Sequence, residues 1–218
     1  MTSPQMIKIL LVDDHAIVRE GYRALLEKQA NMEIVAEAVN GEEAYIRYKE
    51  NSPNLVVIDL SLPGQGGLGA ITRIRKYNAE AKILVFSMHQ NPAIALKATQ
   101  AGAQGYVTKS SEPDILIRAI NDVYGGKHFL SGDIAQALAL ERLGGKNAVL
   151  AELTVREFEI FRMLVETRST DDIARTLNIS PKTVSNCHYL IKSKLGVSSD
   201  IELTHLAINM KVINPLEF

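Results

Sequence analysis

Three carboxylates, one hydroxyl and one amine stand where apolar runs of this chain end. Asp13 and Asp14 follow "IKILLV", Asp59 follows "LVVI", Ser87 ends "KILVFS" and Lys109 follows "GYVT". Runs such as Leu55–Ile58 read as fully buried strands, where acids are normally excluded. In open parallel sheets, ligands bind outside the carboxyl ends of the strands. Strand ends there would deliver all of these groups to one edge. Carboxylates gathered together repel one another unless a cation offsets them. An oxygen-rich set suits magnesium, which keeps waters and takes only a few protein carboxylates. Magnesium beside Asp59, with a lysine opposite, can neutralise the equatorial oxygens of a phosphoryl group. A carboxylate can itself accept that group as an acyl phosphate. A lone acid at a strand end is often only a helix cap or a solvated terminus. The joint pattern is much harder to obtain from packing alone.

The elements that must position these groups follow one rhythm from Ile7 to about Gly126. "IKILLVD", "EIVAEAV", "LVVID", "KILVFSM" and "GYVTK" read as strands. Between and after them, "AIVREGYRALLEKQ", "EEAYIRYKE", "AITRIRKY", "PAIALKATQAG" and "EPDILIRAINDVYGG" have helical spacing. Ser111 with Asp114 three residues later suits a helix start, and Gly125-Gly126 suits its end. The expectation is an α/β domain over 6–126, a five-stranded, doubly wound parallel sheet with helices on both faces. From 127 to 149 the pattern weakens into a linker punctuated by Gly132, Gly144, Gly145 and Asn147, with "DIAQALALERL" as a short helix inside it. From 150 to 218 only helical signals remain, which predicts a small all-α domain of four helices. "LTVREFEIFRMLVE" opens on Thr154 and Glu157, a capping box. "STDDIARTL" opens on Ser169 and Asp172, which suggests another. "SPKTVSNCHYLIKSKLG" has Ser180 as N-cap, Pro181 at the first helical position and Gly196 as its stop. "IELTHLAINMK" closes the set.

Bulk properties exclude several classes. The chain has 218 residues, 46% hydrophobic and 22% charged, ordinary values for a globular protein. No apolar run approaches the roughly 20 residues a membrane helix needs. "MTSPQMIKILLVDD" lacks the long apolar run and small-residue cleavage site of a signal peptide, so the expected location is the cytoplasm. The single cysteine, Cys187, leaves no internal disulfide framework, and five scattered histidines offer no zinc spacing. The formal net charge is −1, yet Ile173–Ser199 carries Arg175, Lys182, Lys192 and Lys194 and no acid. A short basic face could still meet phosphates.

"LLVDDH", "VVIDLSLPGQGG", "FSMH" and "GYVTKS" together resemble the receiver domain of bacterial two-component response regulators. The resemblance spans roughly the first 125 residues. It implies that Asp59 accepts a phosphoryl group from a histidine kinase or a phosphotransfer protein. It further implies that Asp13, Asp14, Asp59 and the backbone carbonyl of Ser61 hold magnesium. Ser87 would meet a phosphoryl oxygen and Lys109 would pair with it. Tyr106 would be the aromatic that turns inward as Ser87 moves. "GQGGLG", Gly64 to Gly69, matches the dinucleotide fingerprint G-x-G-x-x-G, but it follows the third strand and no acid closes the next one. Its glycines are better read as letting the loop turn tightly beside Asp59. An aspartyl-nucleophile phosphatase would need an acid two residues after the nucleophile, where this chain has Ser61.

"STDDIARTLNISPKTVSNCHYLIKSKL" has the form helix, short turn, helix. On a wheel, Val184, Ile191 and Leu195 share the face that would pack on Ile173, Ala174, Leu177 and Ile179. Lys182, Ser185, Asn186 and Tyr189 share the opposite face with Ser193, and Lys192 lies at its border. That face carries donors and acceptors suited to base edges and phosphates, and its first turn would enter a major groove. Thr183 and the helix N-terminus could hold a phosphate. "LTVREFEIF", "IARTLNISPKTV" and "KLGVSSDIELTHLAI" resemble the LuxR/NarL-type DNA-binding domain, so the chain is similar throughout to NarL/FixJ-type response regulators. "GDIAQALAL" and "SSDIELTHLAI" lean toward the GacA/UvrY branch. Asp171 and Asp172 stand where family members commonly carry basic residues, and Cys187 where they often have histidine. Ala151–Phe218 holds 8 Lys+Arg against 9 Asp+Glu, which predicts weak non-specific DNA binding.

The resemblance implies a cytoplasmic, non-enzymatic transcription regulator whose only chemistry is self-catalysed phosphoryl transfer and hydrolysis at Asp59. Phosphorylation would promote a homodimer on double-stranded promoter DNA. The rival is a phosphorylation-independent regulator that uses its receiver only to dimerise, against which stand the intact Asp13, Asp14, Asp59, Ser87 and Lys109.

Overall fold

The computed structural model describes residues 6–142, 148–210 and 212–213. The readings on Gly144, Gly145 and Asn147, on the first residues and on the last ones lie outside the described residues. The element order is β1 (Ile7–Val12), α1 (Ala16–Leu26), β2 (Met32–Ala38), α2 (Gly41–Asn51), β3 (Leu55–Ile58), α3 (Gly66–Tyr77), β4 (Ile83–Ser87), α4 (Pro92–Ala101), β5 (Gly105–Thr108), α5 (Pro113–Tyr124), β6 (Phe129–Leu130) and α6 (Gly132–Arg142), then α7 (Ala148–Ala151), α8 (Val155–Val165), α9 (Thr170–Leu177), α10 (Pro181–Leu195) and α11 (Asp200–Asn209). Backbone proximity groups them into two compact units, Met1–Gln90 with Ala98–Ala135, and Asn91–Lys97 with Gln136–Phe218.

In the first unit the strands form one sheet in the order β2-β1-β3-β4-β5-β6, and every pair is parallel. The expected five strands are joined by a sixth, inside the stretch read as linker. β6 has two residues, Gly105 pairing with Phe129 and Tyr106 with Leu130. Two residues are too few to show any period, which is why the alternation missed it. β1 is buried except at Lys8, and all of β3, β4 and β5 is buried. Ile9, Leu11, Leu55, Val57, Leu84, Phe86 and Val107 face a cluster completed by Leu116, Ile120 and Val123 of α5. Burial of each such side chain contributes about 1.5–3 kcal/mol, so the sheet is rigid up to its ends. Gly105 has no substitute here, because a Cβ would lie 2.6 Å from Leu84 Cδ1 and 2.8 Å from Val123 Cγ2.

One helix start differs from expectation. Ser111 and Asp114 do not cap α5; Pro113 takes the first turn, Glu112 is the N-cap, and Ser111 Oγ instead bonds Thr108 Oγ1 at 3.0 Å. Proline favours the first helical position because that residue needs no N–H there.

The caps of the second unit follow the sequence more closely. Thr154 and Glu157 form both halves of a capping box on α8. Ser169 accepts from Asp172 N at 3.1 Å, with its own hydroxyl donating to the Asp172 carboxylate, so half a box is present. Ser180 caps α10 through Thr183 N at 3.1 Å, with Pro181 in the first turn, and Gly196 ends it at φ +67°. Val184, Ile191 and Leu195 are buried where α10 packs on α8 and α9, beside Ile173, Ala174 and Leu177, with Ile179 half-buried.

Candidate functional site

The strand order reverses between β1 and β3, the place where doubly wound sheets bind ligands. Register fixes what stands there. Val12 pairs with Ile58, so the next residues, Asp13 and Asp59, emerge side by side. Ser87 pairs with Thr108, so Lys109 follows beside Ser87. The ladder continues one step past the strands: Asp13 N donates to Ala38 O at 3.1 Å, Asp59 N to Val12 O at 2.9 Å and Lys109 N to Ser87 O at 2.9 Å. Arg19 Nη1 also donates to Asp13 O at 2.6 Å while its Nε holds Glu37 at 3.0 Å.

These backbones converge three of the predicted side chains. Lys109 Nζ donates to Asp13 Oδ2 at 2.5 Å and to Asp59 Oδ2 at 2.6 Å. Asp13 and Asp59 are 3% and 2% exposed, and a charge so buried persists only when paired. Burial pushes the Asp59 carboxyl up, but the Lys109 ammonium, with help from the Ser87 hydroxyl and the Ser61 N–H, outweighs it and holds Asp59 below the usual carboxylate range. Burial conversely pulls Lys109 down, and the two carboxylates more than restore it, leaving it above the ordinary lysine value. Asp59 Oδ1 accepts from Ser61 N at 3.2 Å, and Asp13 Oδ1 from His15 N at 2.9 Å. Ser87 is wholly buried; its hydroxyl stands near enough to the Asp59 carboxylate to help hold that carboxyl down, without reaching good hydrogen-bond geometry. Tyr106 is buried on β5, inside the sheet rather than at its edge, with its hydroxyl donating to His89 O at 2.9 Å.

Asp13 and Asp14 group with His15, their donor atoms lying within 4.8 Å of one another; Asp59 meets this cluster through Lys109. Oxygen donors at Asp13, Asp14 and Asp59, with the buried Ser87 hydroxyl beside Asp59, fit a hard divalent cation and an oxyanion. Sequence reasoning missed His89, whose Nε2 stands 3.1 Å from Ser61 Oγ. Ser61 and His89 each lie two residues past Asp59 and Ser87 at the same sheet edge, but the β3–β4 register, extended, would set Ser61 beside Met88, so it held no signal for this pair. Of the glycines, Gly67 is the one the site requires. A Cβ there would lie 2.2 Å from Asp59 O and 2.7 Å from Leu60 Cα, so its absence lets α3 start against the backbone of Asp59 and Leu60.

In the second unit the predicted reading face is assembled. Lys182, Thr183, Ser185, Asn186 and Tyr189 are exposed and Lys192 is half-buried. Some of its donors are engaged locally: Ser185 Oγ donates to Pro181 O at 3.1 Å and Thr183 Oγ1 shares a 2.8 Å bond with Ser180 Oγ. The basic window is also less free than its count. Arg175 pairs with Asp172 at 3.2 Å, Lys192 with Asp200 at 3.0 Å and Lys194 with Glu157 at 2.7 Å. All three acids lie outside Ile173–Ser199, so a local charge count could not see them.

A receiver sheet with its acids at the switch point, joined in one chain to a helix-turn-helix unit, defines a two-domain regulator. Family comparison agrees: residues 9–121 match the response regulator receiver domain and residues 151–207 the bacterial regulatory proteins of the luxR family. The chain is 39% identical to response regulator UvrY of Escherichia coli (strain K12), over 96% of its own length and 97% of UvrY. It is 34% identical to response regulator GacA of Pseudomonas syringae pv. syringae, over 96% and 99% of the two chains. The solved structure of RcsB from Salmonella enterica serovar Typhimurium, bound to promoter P1flhDC in the presence of phosphomimetic BeF3-, superposes with a TM-score of 0.76 at 26% identity, covering 95% of this chain and 99% of RcsB. The chain belongs to the NarL/FixJ-type response regulators: it is a two-component transcriptional response regulator with a receiver and a LuxR-type DNA-binding domain. Among the described residues no helix is long and apolar enough to cross a membrane.

Proposed function

We propose that Asp59 is the phosphoryl acceptor of this regulator and that its phosphorylation, by a sensor histidine kinase or a phosphotransfer protein, promotes dimerisation and promoter binding. The observation that carries this reading is the meeting of Asp13 and Asp59 on Lys109, with the buried hydroxyl of Ser87 beside Asp59. An ionised Asp59 is a competent nucleophile. Its oxygen forms the new bond to phosphorus as the phosphorus–nitrogen bond of the phosphohistidine breaks and the electron pair returns to the imidazole. Lys109, already between the carboxylates, donates to a phosphoryl oxygen, and Ser87 supplies a donor to another. Asp13, Asp14, Asp59 and the Ser61 carbonyl are the groups that would hold magnesium, which when bound offsets charge on the phosphoryl oxygens.

The new dianion is the bias on a pre-existing equilibrium between resting and active receivers. Ser87, whose hydroxyl would turn to the phosphoryl group, and Tyr106, hydrogen-bonded to His89 O, are the switch residues. Output lies in the second domain, where Lys182, Thr183, Ser185, Asn186, Tyr189 and Lys192 face DNA: bases through Ser185, Asn186 and Tyr189, phosphates through Thr183 and the lysines. We divide the chain into a receiver over 6–126, a linker over 127–149 and the DNA-binding domain over 150–218. The cytoplasm is its place of action, and self-catalysed phosphoryl transfer and hydrolysis are its only chemistry. The DNA-bound, phosphomimetic RcsB relative supports this pairing of input and output. The test is intact mass after incubation with acetyl phosphate and magnesium. One phosphoryl adduct on the wild type and none on Asp59→Asn supports the reading; an adduct that survives the substitution, or no adduct at all, refutes it.

A further inference from the structure

The reading helix is tied to its neighbour at the residue where it should be free. Lys192 Nζ donates to Asp200 Oδ1 at 3.0 Å, and His188 Nε2 lies 2.7 Å from the same oxygen. Asp200 opens α11 with its side chain 68% exposed, whereas the Lys192 side chain is only 25% exposed. The carboxylate therefore stands toward solvent over a lysine of the DNA-facing side, where a backbone phosphate would arrive. The remaining cations of the window differ in kind. Arg175 is paired within its own helix, and Lys194 is held by Glu157, which also completes the cap of α8. Lys182 is exposed and, among the described residues, has no ion pair.

We propose that Asp200 is an intramolecular stand-in for a DNA phosphate, holding Lys192 until a duplex displaces it, and so is a specificity-determining residue that suppresses non-specific binding. Each lysine that neutralises a phosphate contributes to an affinity without sequence information. A lysine already neutralised contributes less, because part of the phosphate's attraction is spent on separating it from its acid. A solvent-exposed pair is weak enough to be displaced, so Asp200 acts as a competitor rather than a block. A correct sequence adds base contacts that Asp200 leaves untouched, and the ratio of specific to non-specific affinity rises. Asp200 thereby acts in the same direction as the domain's net negative charge but at one named contact.

The proposal rests on the assignment of Lys192 to the DNA-facing side, and the experiment separates the two. Full-length protein and its variants are titrated against a scrambled-sequence duplex across a range of salt concentrations, with thermal unfolding as a folding control. Asp200→Asn is expected to bind about two- to fivefold tighter, with a log K against log salt slope steeper by about 0.9. Glu202→Gln, the same charge change in the same turn of α11, is expected to keep the wild-type slope. Lys192→Gln is expected to abolish the gain, so that the double variant behaves as Lys192→Gln alone. A wild-type slope for Asp200→Asn overturns the proposal, as does a gain that survives in the Lys192→Gln background. If Lys182→Gln also leaves binding unchanged, the assignment of the DNA-facing side itself fails.

Discussion

Lys109 is the residue on which the site's electrostatics turn. Its ammonium separates two carboxylates that are almost wholly buried, so its loss strands like charges together. Lys109→Met should destabilise the receiver by roughly 3–5 kcal/mol in chemical denaturation, the usual result of breaking a buried pair from one side. Magnesium should restore part of the loss, since a divalent cation can replace the missing positive charge; a loss below about 1 kcal/mol would show the pair to be dispensable. Gly67 is constrained by space rather than charge. Gly67→Ala places a methyl 2.2 Å from Asp59 O, a backbone atom that cannot rotate away. It should cost about 1–3 kcal/mol and slow phosphorylation by acetyl phosphate, whereas unchanged stability and rate would remove Gly67 from the site. Most of this was legible from residue order, because strand ends can be counted and register then sets neighbours. The Ser61–His89 pair was not, because both residues lie beyond the ends of their strands, where apolar periodicity says nothing about how loops descend.

Elements with strong periods and marked ends were read directly from the sequence, and weak ones were not. β3 and most of β4 are continuous apolar runs, β1 is broken only at Lys8, and α10 carries its start and stop in Ser180, Pro181 and Gly196. β6 is two residues long and gave no pattern. The Ser111–Asp114 spacing misled because Pro113 moves the helix start. The basic window misled because the acids that pair with its cations, Asp172, Asp200 and Glu157, lie just beyond its ends or in another helix. α8 holds a further test. Glu159 is 7% exposed, its Oε1 has no partner among the described residues, and Arg156 Nη1 reaches only Oε2, at 3.1 Å. Burial pushes this carboxyl up, and Arg156 offsets that in part. A raised value in the folded state means no penalty below the ordinary glutamate value of about 4.3 and a full penalty above the folded value. Glu159→Gln should therefore raise the Tm of the second unit at neutral pH and leave it nearly unchanged near about pH 3.5. An equal change at both would contradict the sign.

For the whole molecule, more than a hundred residues separate Asp59, the proposed phosphoryl acceptor, from α10, the proposed DNA-reading helix. No single contact can carry that coupling. Its strength is set by how differently the phosphorylated and unphosphorylated receivers populate the active state, since a ligand shifts an equilibrium only by its differential affinity. The coupling is reciprocal, so promoter DNA should in turn favour the phosphorylated form. Sequence alone pointed to both ends of the proposed switch because acids, lysine and cap residues are local signals. The coupling between the ends was not legible, because it is a difference between two states rather than a property of any segment. The most direct measurement is promoter-DNA affinity of the full chain before and after treatment with acetyl phosphate and magnesium, in parallel with Asp59→Asn. A gain of roughly 5–150-fold for the wild type, the ordinary range of allosteric coupling, and none for the variant is the predicted result. Equal DNA affinity of the phosphorylated and unphosphorylated wild type would contradict it and leave the receiver as a dimerisation unit only.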